Sequence, residues 1–401
     1  MREKIRQKFQ SPWFYVIVLY LPFGFIAGTI PQFPHAFLKL LGFPNELIGI
    51  ISVVGIITAL RFLYAPWLDG AATKRRLSIL TPLIGAALMF CLAGLLFSQP
   101  SDFVLLAGLM VFLFVKAIDQ AAVETSVDGY YIRALNPTLQ AQFIGIKTTA
   151  MRIGSMSASM GFIWLAAKIA ARYGAIGVES LDKTGFYIGF GWAYVLIGVL
   201  ILICAIANAY ALPVVPSDEP VKHRRFALKE VLVEYFAQPR VAMIILVILT
   251  YRLGQGFMLM RGPFLLDPYE AGGLNTPATT MPVYMLLTDV PWVLIGGILG
   301  GYTIKWFGLK KVFVPLALFM SLPNLYYAWL AWVRPTGTIV IFGETLNKSM
   351  LLGSSFESLG YGLSFSAIFY YMHITATMAG RNKTSILAVS CAFSTSASRS
   401  R

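Results

Sequence analysis

Apolar runs long enough to cross a lipid bilayer recur from one end of this chain to the other, and no other feature limits its folding so severely. The segment FYIGFGWAYVLIGVLILICAIANAYAL (186–212) has no charged residue, and PWFYVIVLYLPFGFIAGTI, VLLAGLMVFLFV and VAMIILVILTY follow the same pattern elsewhere. About 20 such residues in a helix cover the roughly 30 Å of hydrocarbon in a bilayer. Weakly alternating strands, as in an outer-membrane barrel, would read differently. Charged residues make up 12% of the 401 positions, against about 25% in a soluble domain. The chain is therefore expected to be an all-α, polytopic membrane protein.

The reading predicts spans at 13–31, 45–66, 79–97, 103–129, 141–167, 186–212, 240–259, 280–303, 313–333 and 354–378, with an eleventh starting near 384. The first run follows the basic start MREKIRQKFQ, but no small-x-small cleavage pattern follows it and many spans do, so it is not read as a signal peptide. Cys91, Cys204 and Cys391 each fall inside an apolar run without metal-ligand spacing, so no disulfide, metal or cofactor is expected.

A net charge of +14 raises the question of nucleic acid, and the placement of the charges answers it. Loops on the side of the N-terminus carry 18 lysines and arginines, and loops on the opposite side carry 7. The positive-inside rule then puts the N-terminus in the cytoplasm and makes the basic surplus a topology signal. No nucleic-acid partner is expected; the partners are the bilayer, a small molecule and protons, with a monomer as the default.

The segment PVVPSDEPVKHRRFALKEVLVEYFAQPR separates six predicted spans from the rest. Its prolines and mixed charges read as a linker. The expected organisation is an N-terminal six-helix bundle at 1–212, a cytoplasmic linker at 213–239 and a C-terminal bundle at 240–401. Two bundles joined in this way suit a secondary transporter.

Two connections match in position. After the second span comes WLDGAATKRR, with Asp69, Lys74, Arg75 and Arg76; after the eighth comes GGYTIKWFGLKK, with Gly300, Gly301, Lys305, Lys310 and Lys311. They resemble the two copies of the cytoplasmic signature of the major facilitator superfamily. Glycines let helices approach closely. The charged heads are expected to latch the cytoplasmic face as a gating motif.

An ionisable side chain at mid-bilayer costs about 2.5–3.5 kcal/mol on insertion scales, which makes each one a candidate for function. The candidates are Arg61, Lys116, Asp119, Glu124, Asp128, Lys147, Arg152, Arg252, Asp289 and Glu357. Lys116, Gln120, Glu124 and Asp128 recur every four residues, so one helix carries a polar row with Asp119 beside it. Such a row is expected to face a water-filled cavity, with Arg152 or Arg61 as partner to the acids. A carboxylate beside a cation, in a site alternately wet and dry, suits proton coupling. Arg61, Arg152 and Arg252 offer donor forks that suit an anionic substrate, and they equally suit internal counter-ions for the acids. His373 reads either as an interfacial residue or as a proton relay.

The stretches VETSVDGYY and TTAMRIGSMSA, with RFLYAPWLD, Tyr251-Arg252-Leu253-Gly254 and FESLGYGLSFSAIF, resemble the AmpG-like branch of the major facilitator superfamily. Its members import anhydromuropeptides released from the cell wall. The resemblance runs across most of the chain and is shared by the eukaryotic acetyl-coenzyme A transporters. It implies proton-coupled import across a bacterial inner membrane for peptidoglycan recycling, with Arg61, Glu124, Asp128, Arg152, Arg252 and Glu357 coupling protons or binding substrate; Asp119 joins them as a charge beside the same polar row. Beyond Asp128 the family carries a further acid and a Glu-Arg-Gly turn, where this chain has YYIRALNPTLQAQ. Other anionic solutes, acyl-coenzyme A-like or sugar conjugates, therefore stay open. A complete member has twelve spans, so the resemblance implies a C-terminal bundle that is short by about one and a half helices.

An enzyme is not expected. His35, His223 and His373 are scattered, and neither a nucleophile loop nor a metal cluster accompanies them. A non-transporting relative that acts in assembly is the remaining alternative.

Overall fold

Among the described residues, helix forms where the apolar runs are long. The computed structural model describes residues 10–29, 32–44, 46–47, 63, 68, 71–175, 182–216, 218, 227–256, 281–378 and 383–399. Most of the expected second span, Arg61 included, and Asp69 after it lie outside the described residues.

Helix α1 spans Pro12–Gly28, with Pro12 at its first position behind an extended Ser11 whose carbonyl accepts the N–H groups of Phe14 and Tyr15. A proline has no N–H to lose there. The short helix α2 (Gln32–Leu40) follows. Next come α3 (Lys74–Phe97), α4 (Asp102–Ala134) and α5 (Pro137–Met156). A π-turn at Ser157–Gly161 joins α5 to α6 (Phe162–Arg172), and α7 runs over Thr184–Ala211. The linker holds a helix of its own, α8 (Ala227–Phe236), and the chain then bends by 91° into α9 (Val241–Gly256).

A single turn, α10 (Met281–Tyr284), passes through a second π-turn, Met285–Asp289, into α11 (Val290–Phe307). Gly308, at φ 76°, makes the reversal into α12 (Leu309–Val333). The last helices are α13 (Lys348–Met378) and α14 (Lys383–Arg399). Among the described residues, six helices are long and apolar enough to cross a membrane, or seven if the bent pair counts as one span.

Several boundaries differ from expectation. The basic triplet Lys74-Arg75-Arg76 is the first turn of α3, and the Thr73 hydroxyl accepts the N–H of Arg76, as an N-cap does. Gly300 and Gly301 lie inside α11, which runs four residues past the expected end at 303. The interruption of the expected spans 141–167 and 280–303 by π-turns was not anticipated. Single-turn π-bulges inside helices occur often at functional sites.

Between α12 and α13 the chain makes a hairpin, β1 (Thr338–Ile341) paired antiparallel with β2 (Glu344–Asn347), Ile339 opposite Leu346. Its two-residue turn puts Phe342 at φ 54° and Gly343 at φ 82°. Two left-handed residues match the twist of paired strands. Leu346 is buried with Tyr284, Leu330 and Met350, which fixes the hairpin to the helix ends beneath it.

The helices fall into two compact units. One comprises residues up to Ala134, Ala150–Glu234 and Arg381–Ala392; the other comprises Leu135–Thr149, Tyr235–Gly380 and Phe393–Arg401. Small residues carry the close approaches inside each. In the first, Gly24 and Gly28 of α1 press on Gly154, Ser155 and Ala158 near the end of α5. In the second, the pairs Gly296/Gly300 and Gly297/Gly301 give α11 two such faces. The first lies on Leu359 and Leu363 of α13, and the second on Gly145 of α5. Contact without side chains is how helices associate where no hydrophobic effect drives them together.

Candidate functional site

The polar row of α4 is buried at its two ends, Lys116 and Asp128, and half-buried between them, in the first unit. Lys116 is fully covered, with Nζ 4.0 Å from Sδ of Met89 on α3. Asp119 is buried one turn on and faces Gly85, where a β-carbon would stand 2.9 Å from Oδ2. These two groups therefore enter the contact between α3 and α4 and do not line an open surface. Glu124 lies half-buried farther along.

Asp128 closes the row. It accepts the hydroxyl of Tyr20 from α1 at 2.7 Å, and the Tyr20 ring stands edge-on to Tyr131 with centroids 5.9 Å apart. The phenol is thus a described partner of this acid, where an arginine was expected. A charge-assisted O–H···O bond of this kind holds a carboxylate in one geometry. Arg152, half-buried on α5, belongs to the same unit.

Immediately after Asp128, Gly129 leaves room for the stem of Lys74 and for Thr384 of α14. The first turn of α3 is held by Asp218, from the segment after α7. Its carboxylate accepts the N–H groups of Lys74 and Arg75 at 2.8 and 2.7 Å and pairs with Arg133 at 2.9 Å. A carboxylate at a helix N-terminus satisfies open N–H groups and meets the positive end of the dipole. Arg75 in turn donates to the carbonyls of Ala209 and Leu212, and Tyr130 to that of Pro213. The expected gating charge Arg75, and the backbone of Lys74, are therefore tied to the end of α7 and the start of the linker. Asp218 was missed by the sequence reading, although an acid in PSDEP, ahead of a basic run, was the available sign.

The second unit holds a comparable arrangement. Glu357 of α13 is buried and accepts the hydroxyl of Tyr327 from α12 at 2.6 Å. The neighbouring Ser358 donates to Asp289 at 3.1 Å, and Thr288 donates to the same oxygen at 3.0 Å. Asp289 is the last residue of the π-turn. Two acids with four hydroxyls around them, counting Ser354 at 3.4 Å from the Tyr327 oxygen, make a polar patch in apolar helices. Sequence reasoning named the acids and not their hydroxyl partners.

Of the remaining expected residues, Arg252 has its backbone in α9 and its side chain outside the described residues. Lys305 is exposed, with Nζ 6.0 Å from the ring of Tyr302, and Lys310 and Lys311 are exposed at the start of α12. Among the described residues no cluster of three or more His, Cys, Asp or Glu could hold a metal ion.

No protein-family model matches the chain, and no curated protein matches it. Solved structures do resemble it. The proton:xylose symporter XylE bound to 6-bromo-6-deoxy-D-glucose aligns with a TM-score of 0.64 at 13% identity, over 97% of this chain and 87% of that one. The E. coli fucose:proton symporter FucP aligns with a TM-score of 0.67 at 14% identity, over 97% and 89%. A bacterial homologue of the iron transporter ferroportin, in an outward-facing state, aligns with a TM-score of 0.62 at 14% identity, over 96% and 89%. The chain is an all-α polytopic membrane protein with the fold of major facilitator superfamily transporters.

Proposed function

We propose that this chain is a secondary active transporter that imports an anionic sugar-peptide, such as an anhydromuropeptide, together with protons across a bacterial inner membrane. The observation that carries the reading is the pair of phenol-bound acids, Asp128 with Tyr20 in one unit and Glu357 with Tyr327 in the other, at 2.7 and 2.6 Å. Buried acids in apolar helices are costly to keep and are retained where they serve transport. A hydroxyl partner can donate to the ionised form and accept from the protonated form, so the site tolerates both. The likeness in fold to two sugar:proton symporters supports the same reading.

In this account Glu124, Asp128 and Glu357 take up and release protons, with Asp119 beside them, while Arg61, Arg152 and Arg252 meet the anionic groups of the substrate. Asp69, Lys74–Arg76, Gly300, Gly301, Lys305, Lys310 and Lys311 make up the cytoplasmic gating motif, in a chain organised as an N-terminal bundle at 1–212, a linker at 213–239 and a C-terminal bundle at 240–401. The N-terminus is cytoplasmic, and one copy suffices.

The test is uptake of labelled anhydromuropeptide into proteoliposomes with an inward proton gradient. Accumulation that ends when the gradient is collapsed supports the reading. Accumulation only of another anionic conjugate would move the substrate to that class, and uptake of none by folded protein would favour the assembly role.

A further inference from the structure

Lys147 of α5 and His373 of α13 meet at 2.7 Å, Nζ to Nε2, and both are buried inside the second unit. Phe369 lies one turn before His373 on the same helix, with its ring centroid 5.4 Å from Nζ. The ammonium end is therefore held between an aromatic face and an imidazole. One further contact joins these helix segments: Tyr370 donates to the carbonyl of Pro137 at 3.0 Å. Gly145, two residues before Lys147, sits against Gly297 and Gly301 and so holds α5 on α11.

The chemistry of this contact counts protons. An ammonium has only donors, and so has an imidazolium. At hydrogen-bonding distance one of the two nitrogens must accept, so one of them carries no proton. If both were protonated the bond would vanish, and two like charges would face each other where little water screens them.

Among the described residues, the helices packed around the pair carry these ionisable groups. Glu357 lies 16 residues up α13, about 24 Å along the axis, and is bound to Tyr327. Asp289, before α11, takes Thr288 and Ser358. Lys305 on α11 and Lys310 and Lys311 on α12 are exposed, and Tyr251 on α9 donates to the carbonyl of Ser364. Arg252, also on α9, has its side chain outside the described residues.

We propose that Lys147 and His373 form a proton-binding site, separate from the carboxylates, in which uptake of a further proton ends the contact and frees the first turns of α5 from the last turns of α13. Its use in coupling rests on the transport reading; its existence does not.

Spin labels at Thr138 and Met378, both exposed, report the distance between these segments in full-length protein whose own cysteines are replaced. The measurement is made in detergent without substrate. As the pH is lowered from about 8 to about 5, the wild-type distance is expected to lengthen. His373→Gln keeps an acceptor for Lys147 at every pH and is expected to hold the short distance throughout. Lys147→Met is expected to give the long distance at both ends of the range. A wild-type distance that ignores pH, or a His373→Gln protein that follows the wild type, overturns the proposal, and this comparison stands even if Lys147→Met does not fold. A chain that shows the pH response and moves no solute leaves this site intact and sinks the transport reading alone.

Discussion

Asp218 holds Arg133 at 2.9 Å while the same carboxylate takes the N–H groups of Lys74 and Arg75. One acid thus fixes the start of α3, the end of α4 and the beginning of the linker. Its side chain is 3% exposed and that of Arg133 13%. Breaking a buried pair from one side costs about 3–5 kcal/mol, and the partial exposure of Arg133 puts this case at the low end. Asp218→Ala is expected to lower stability by about 3 kcal/mol, seen as a lower unfolding temperature in detergent. Asp218→Asn, which keeps an oxygen for one N–H, should lose less.

Tyr20 and Tyr327 are expected to act alike, each on its own acid. A hydrogen bond to a charged group contributes about 1.5–3 kcal/mol, so Tyr20→Phe and Tyr327→Phe should each destabilise by about 2 kcal/mol. Combining Tyr20→Phe with Asp128→Asn should cost less than the sum of the two, because residues in contact do not add. Thermal unfolding of the four proteins measures this, and strict additivity would show that the 2.7 Å contact carries no energy.

Glycine positions separate tight packing from mere helix content. A β-carbon on Gly145 would run into the backbone carbonyl of Gly297, and backbone cannot step aside as a side chain can. Overpacking of this kind costs about 1–3 kcal/mol. Gly94 has open space where its β-carbon would be, and alanine there should be neutral or stabilising by up to about 1 kcal/mol. Gly145→Ala is expected to reduce the yield of folded protein and Gly94→Ala to leave it unchanged, measured by gel filtration in detergent.

The hairpin gives a similar contrast. Leu346 is fully buried and Val340, on the other face, is 67% exposed. Leu346→Ala should cost about 2–5 kcal/mol and open the turn to protease, whereas Val340→Ala should stay within about 0.5 kcal/mol of wild type.

These cases show which parts of the molecule were legible beforehand. Composition and run length carried the helical, polytopic fold, because hydrocarbon leaves a chain few other ways to satisfy its backbone. The buried acids were visible because a charge within an apolar run stands out. Their partners were not, since Tyr20 and Tyr327 look like any other membrane tyrosine until α1 meets α4 and α12 meets α13. The hairpin escaped a search tuned to spans, although TIVIFGETLN carries the β-branched residues and glycine turn of paired strands. The π-turns have no comparable sign beyond the small residues of SASMG in the first. Asp218 was hidden by its setting, an acid in a linker where charge is ordinary.

The central claim is that the acids set in the apolar helices carry protons for solute movement, and Glu124→Gln tests it most directly. Purified wild type and variant, matched for folding by thermal unfolding, are placed in proteoliposomes with a pH-sensitive dye inside, and labelled anhydromuropeptide is added outside. The account predicts internal acidification that keeps pace with uptake in the wild type, and neither acidification nor gradient-driven uptake in the variant. Uptake by folded Glu124→Gln protein that still follows the proton gradient would contradict it.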